Sequence, residues 1–237
     1  MQLITYYSSF ITHRSSLISN VALSFFLHKS NFLFRTVYPE CWWKIPDTTE
    51  PTIYLTFDDG PIPDVTEFVL EQLDKFSAQA TFFCIGDNVR KHRDVLYKVL
   101  EAGHMVGNHT FNHLNGWKTD DRVYLENIQK CQDYLGVDTS LFRPPYGRIK
   151  KTQAAHVMEQ YSIVMWDVLT GDFDQKIPAS VCLRKTLQYT KPGSIVVFHD
   201  SLKAWPTMRY VLPRMLQQFA RQGYSFRAVP QPVHAGY

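Results

Sequence analysis

Two adjacent acids, Asp58 and Asp59, close an apolar run, and Gly60 and Pro61 turn the chain directly after them. A buried carboxylate needs a partner charge or a metal. The pair therefore reads either as a site or as a solvated cap for the next helix. His109 and His113 are four residues apart, a spacing that lets both imidazoles face one point on a helical turn. With one acid they complete a set of two histidines and a carboxylate, which leaves metal positions open for water and substrate. The alternative is a pair of ordinary turn histidines. No Glu follows His109 directly, so the H-E-x-x-H protease motif is absent. His199 follows an apolar run and precedes Asp200; beside a metal it becomes a candidate general acid. Arg143 with Tyr146, and Asp172 with the weaker candidate Asp167, complete the polar clusters. The remaining histidines read as surface or packing residues, with His104 a candidate for the layer behind the site.

Each cluster lies just past an expected strand. Hydrophobic periodicity predicts strands near 51–57, 80–85, 104–108, 140–143, 162–168, 194–199 and 224–229. Helices are expected between them near 64–77, 88–102, 121–135, 150–161, 179–189 and 207–222, with Gly136 as a C-cap. The strands are nearly continuous apolar runs, as parallel strands covered by helices are. The expected fold class is α/β, a (β/α) barrel of about seven parallel strands, with a doubly wound open sheet as the alternative. In a parallel barrel all the polar clusters fall on the C-terminal rim, where such folds build active sites.

The 237 residues suit one domain with a large core or two small ones. Residues 1–50 are aromatic and poor in acids, and read as an extension packing on the barrel formed by 51–237. A net charge of +3 without a basic run argues against nucleic acid. No stretch is long and apolar enough to span a membrane. Residues 17–27 lack an A-x-A-like cleavage site and read as a helix or upstream extension rather than a signal peptide. Cys41, Cys84, Cys131 and Cys182 form no C-x-x-C pair and read as buried thiols. They fit a reducing compartment, so the expected location is cytoplasmic, with export to the cell envelope as the alternative. Oligomeric state leaves no signal in the chain.

TFDDG (56–60), HTFNH (109–113), RPPYG (143–147), WDVLTGDF (166–173) and VFHD (197–200) resemble the five ordered motifs of the NodB-homology polysaccharide deacetylases, carbohydrate esterase family four. The resemblance covers about residues 51–229 and implies a distorted (β/α) barrel. It implies metal-dependent removal of acetyl groups from N-acetylated glycans of chito-oligosaccharide or peptidoglycan type. By the same resemblance Asp59, His109 and His113 hold one divalent metal, usually zinc in that family, with cobalt, nickel or manganese as alternatives. Asp58 is then the general base on water, and His199 protonates the departing amine. The metal and the backbone N–H of Tyr146 stabilise the oxyanion. Arg143 orients the base, and Asp172 contacts the catalytic histidine. Two positions depart from the family pattern: Phe173, where Asp-Trp is frequent, and Val197, where Leu-x-His is frequent. Both keep an acetyl-methyl pocket apolar while changing its shape. Trp117, Tyr146, Trp166 and Trp205 are candidates for stacking on a sugar ring, with Trp166 also suited to the core. A NodB-like amidase acting on a non-sugar amide and a non-catalytic glycan-binding module are the rival readings.

Overall fold

The computed structural model describes residues 28–30, 32–46 and 50–231. The reading of 17–27 lies outside the described residues. A short helix, α1 (Phe32–Val37), precedes an alternating run of strands and helices. It begins β1 (Thr52–Asp58), α2 (Val65–Asp74), β2 (Thr81–Cys84), α3 (Gly86–Lys91), α4 (Arg93–Glu101), β3 (Met105–Asn108), α5 (Asp121–Leu135) and β4 (Leu141–Phe142). It continues α6 (Lys151–Val157), β5 (Ser162–Ile163), β6 (Val168–Leu169), α7 (Ala179–Tyr189), β7 (Ile195–His199), α8 (Trp205–Ala220) and β8 (Ser225–Arg227). The strands run in the order β5-β4-β3-β2-β1-β7-β6, and β8 pairs with the start of β1. Every pairing between these strands is parallel. The sheet curls into a distorted barrel whose seam falls between β5 and β6.

Side-chain alternation sorts each strand between an outer and an inner layer. From β1, Ile53, Leu55 and Phe57 join the large cluster packed under the helices. Tyr54 packs inward with Phe83, Leu141, Val164 and Ile195. Thr56 and Asp58 share Tyr54's parity and face Arg143 above that inner layer. Both faces are buried, which is why β1 reads as a continuous apolar run until its last residue.

The expected single strand over 162–168 is two strands. β5 pairs with β4, β6 pairs with β7, and the chain between them crosses the seam. The break has a cause inside the barrel: the carbonyls of Val164 and Met165 accept hydrogen bonds from Arg143 Nε and Nη2 at 3.0 and 2.9 Å. A fully buried guanidinium needs acceptors, and it takes them from a backbone that would otherwise continue as a strand. The expected helix over 88–102 is likewise two helices, broken at His92 with φ −132° and ψ 51°.

Residues before β1 supply partners to the seam. Trp42 N–H bonds Ile163 O at 2.9 Å, and Met165 N–H bonds Trp42 O at 2.8 Å. On the other side Leu169 N–H bonds His28 O and Ile45 N–H bonds Gly193 O, both at 3.0 Å. These contacts cover edge groups that would otherwise be open to another chain. Asp167 takes part in the same closure. It pairs with Lys29 Nζ at 3.0 Å and with Arg35, and accepts from Ser194 Oγ at 2.6 Å. It therefore does not join the polar rim, contrary to the expectation for it.

Candidate active site

Asp58 is the last residue of β1, and Asp59 leaves the strand with φ 84°. Aspartate tolerates this left-handed region better than most residues. The turn is pinned from two sides. Asn88 Nδ2 donates to Asp59 O at 2.7 Å, and Gly60 N–H donates to the buried Asp200 carboxylate at 2.9 Å. A Cβ at position 60 would stand 1.9 Å from Asp200 Oδ2, so only glycine fits. Thr66 Oγ1 donates to the other Asp200 oxygen at 2.6 Å. Burial, opposed by the Thr66 bond and reinforced by Asp59, pushes the Asp200 carboxyl up to about 8. Asp200 was legible only as a rim acid; its role as the brace beneath the turn depends on the fold.

His109 and His113 meet as their spacing suggested, but not on a helix. Thr110 and His113 have φ 63° and 55°, and the loop is tied by side chains. Asn127 Oδ1, from α5, accepts from Phe111 N–H and Asn112 N–H at 2.8 and 3.0 Å, and Asn108 Oδ1 accepts from Thr110 N–H at 2.9 Å. His109 Nδ1 faces Arg143 O at 2.7 Å. A carbonyl only accepts, so Nδ1 carries the proton and Nε2 presents a lone pair. That Nε2 lies 3.8 Å from Asp59 Oδ1, and His113 Nε2 lies 3.3 Å from the same oxygen. Burial lowers His109 and pushes His113 down to about 4, so both rings are neutral at pH 7.

Asp59 Oδ1 is buried without a hydrogen-bond partner. It faces a neutral imidazole whose near nitrogen is an acceptor, an arrangement that costs free energy as it stands. A cation shared by the three atoms, which all lie within 4.8 Å of one another, removes the conflict. The residues thus fit a divalent metal with open positions, and Asp59, His109 and His113 form a possible metal-binding triad.

Two charge pairs flank the triad. Arg143 Nη1 donates to Asp58 Oδ1 and to Thr56 Oγ1, both at 2.7 Å. With the two seam carbonyls, four of its five N–H groups are bonded, and the guanidinium lies 4.2 Å from the centre of the Phe83 ring. Burial alone would raise Asp58, but the charge of Arg143, with that of His199 adding, holds its carboxyl below the usual range. On the other side Asp172 accepts from His199 Nδ1 and from His199 N–H, both at 2.8 Å. Burial alone would lower His199; Asp172 outweighs it, with Asp59 and Asp58 adding, and lifts the imidazole to about 9.

The expected lining residues distribute unevenly. The Tyr146 ring is exposed and lies 4.6 Å from the His113 ring, on a turn with φ 61°. Phe173 meets His199 edge-on at 5.0 Å. Val197 is buried on β7, two residues before His199 and on the same side of the strand. Trp166 is half-buried and lies under Gly147, whose Cβ would stand 2.6 Å from its ring. Trp205 packs edge-on against Phe68 of α2 at 4.9 Å. His104 does not back the site: it precedes β3 at the opposite end from His109 and lies 5.4 Å from the Phe82 ring.

Fold and site together define a parallel barrel whose C-terminal rim can hold a cation between an ionised carboxylate and a protonated imidazole. The chain belongs to the polysaccharide deacetylase family, whose model matches residues 46–166. It is 34% identical over 154 residues to a peptidoglycan-N-acetylglucosamine deacetylase of Bacillus cereus, covering 63% of this chain and 56% of the relative. It is 33% identical over 196 residues to the peptidoglycan-N-acetylglucosamine deacetylase PgdA of Listeria monocytogenes, covering 79% and 41%. The chain thus spans about half the length of these curated relatives. The solved Bc1960 peptidoglycan N-acetylglucosamine deacetylase, in complex with 4-naphthalen-1-yl-N-oxidanyl-benzamide, superposes with a TM-score of 0.77 at 28% identity. That match covers 85% of this chain and 95% of the solved one.

Proposed function

We propose that this chain hydrolyses the N-acetyl group of N-acetylated amino sugars in a glycan of peptidoglycan or chito-oligosaccharide type. The observation that carries the reading is the orphaned Asp59 Oδ1 between two imidazoles, with Asp58–Arg143 on one flank and His199–Asp172 on the other. Fold alone does not give an activity; these filled positions do. A divalent ion held by Asp59, His109 and His113, zinc by its preference for such ligands, supplies Lewis acidity and makes bound water easier to deprotonate.

The rest of the work falls to the chain. Asp58, kept ionised by Arg143, accepts the proton of the attacking water at Oδ2, since Oδ1 is held by the guanidinium. The backbone N–H of Tyr146 donates to the developing oxyanion. His199 carries its proton at Nε2, because Nδ1 donates to Asp172, and delivers it to the departing amine. Phe173 and Val197 present apolar surface to the acetyl methyl, and Trp166 supports the Tyr146 turn from below. Cys41, Cys131 and Cys182 are pushed up to about 12 by burial, so they are inert in an oxidising compartment as in a reducing one. A wall glycan places the reaction at the cell envelope, which we prefer to the cytoplasm expected from cysteine usage. Among the described residues no helix is long and apolar enough to cross a membrane.

The test is acetate release from N-acetylglucosamine oligomers and from peptidoglycan fragments. Release should stop with EDTA and return with zinc or cobalt. Metal-loaded protein that binds the oligomers but frees no acetate would leave only a binding role.

Activity should hold across neutral pH and decline as pH rises past about 9, where His199 loses its proton. Asp172 is the main cause that raises His199. In Asp172→Asn the alkaline limb of kcat/KM against pH should therefore move towards neutral. A limb that stays in place would remove His199 as the acid.

A further inference from the structure

The loop after β3 and the turn after β4 are fastened into one platform beside the site. Gly116 N–H donates to Arg148 O at 3.1 Å, and Trp117 Nε1 donates to Ile149 O at 3.0 Å. Gln153, fully buried, donates to Gly116 O at 3.0 Å. A Cβ at position 116 would stand 2.6 Å from Arg148 O, so the two segments touch backbone to backbone. These fixed bonds hold the Trp117 indole 51% exposed and the Tyr146 ring 59% exposed. An aromatic side chain ordinarily buries its ring, so two rings held outward on the rim present a stacking surface.

The Arg148 guanidinium lies 5.2 Å from the centre of the indole. Its charge meets no carboxylate among the described residues. The nearby acids are engaged elsewhere: Asp121 holds Lys150, Thr152 and Gln153, and Asp120 caps α5. Tyr146, two residues from Arg148, reaches His113 of the triad. Two residues of chain span at most about 7 Å. Arg148 therefore lies within about 7 Å of Tyr146 along the chain, next to the residue that meets the triad.

We propose that Trp117 and Arg148 form a glycan subsite that selects a carboxylate on the sugar next to the one being deacetylated. The indole takes the sugar face, and the guanidinium takes the carboxylate in a planar, two-pronged bond that lysine does not reproduce. The favoured substrate is then an acidic glycan, in which N-acetylglucosamine alternates with a carboxylate-bearing sugar, rather than neutral chitin. This deepens the deacetylase reading and rests on it.

The test uses one tetrasaccharide of alternating N-acetylglucosamine and N-acetylmuramic acid in two forms, the free acid and its methyl ester, with chitotetraose as a neutral control. Binding is read by calorimetry on the zinc-loaded protein, and turnover by acetate release. Wild type should bind the acid about twofold to fivefold better than the ester, the upper range of an exposed ion pair. The margin should shrink as salt is raised. Arg148→Gln should erase it through KM with kcat unchanged, Arg148→Lys should keep part of it, and chitotetraose should be indifferent to both. Equal affinity of wild type for acid and ester, or an equal loss on both in Arg148→Gln, overturns the subsite. Absence of acetate release from every oligomer overturns the deacetylase reading instead, while the titrations, which need no turnover, still decide for or against Arg148.

Discussion

His113→Asn and Asp59→Asn are each expected to weaken zinc binding by more than about 100-fold and to bring acetate release to background. Both native residues have φ in the left-handed region, 55° and 84°, where alanine is strained and asparagine is accommodated. Asparagine therefore keeps the loop and removes the ligand. At position 113 it is too short to reach the shared point. At position 59 it exchanges a charged oxygen for a neutral one facing two imidazoles 3.8 and 3.3 Å away. Losing only an outer partner of a ligand costs about 10–100-fold in affinity, so losing the ligand costs more. Zinc titration by calorimetry and metal content after dialysis read the first half, and acetate release reads the second. A variant that retained metal at wild-type affinity would place the ion elsewhere.

Asp58→Asn should lower kcat by about 10²–10⁴, the usual contribution of a positioned general base, while leaving zinc bound. It should also destabilise the fold. Arg143 is fully buried, and Asp58 is the acid paired with it. An amide there leaves the guanidinium uncompensated, at about 3–5 kcal/mol. A domain of this size holds about 5–15 kcal/mol in total. The variant should thus fold at low temperature with a lowered Tm and a full complement of metal. Thermal unfolding, metal content and kcat together separate the two effects. A stable Asp58→Asn protein with wild-type kcat would remove both the base and the buried pair from the account.

Much of this was readable from the linear chain because a parallel barrel imposes simple local rules. Apolar runs that end in a polar residue mark strand ends, so Asp58, His109, Arg143 and His199 were expected at one rim without coordinates. Gly136 was legible as a cap from its position alone, and it has φ 65°. What periodicity could not show was where the backbone obeys side chains from afar. The strand expected over 162–168 breaks because Arg143, 21 and 22 residues away, draws in the carbonyls of Val164 and Met165. The histidine pair converges on a non-helical loop because Asn127, on another helix, accepts from two of its N–H groups. Asp167, the weaker candidate beside Asp172, is taken instead by the seam partners Lys29 and Arg35.

By itself the sequence determined the alternation of elements, the residue types at each strand end and the chemistry those types can do. Each of these depends on short-range geometry or on side-chain identity. The motif resemblance implied which acid faces the imidazoles and which is tied by arginine, and the tertiary structure brings those partners within reach of one another. The tertiary structure alone decided which carboxylate braces the turn and which exposed cation stands beside the open indole. Those outcomes depend on partners brought together across the barrel, and the free energy of a buried charge is set by such partners rather than by its neighbours in the chain.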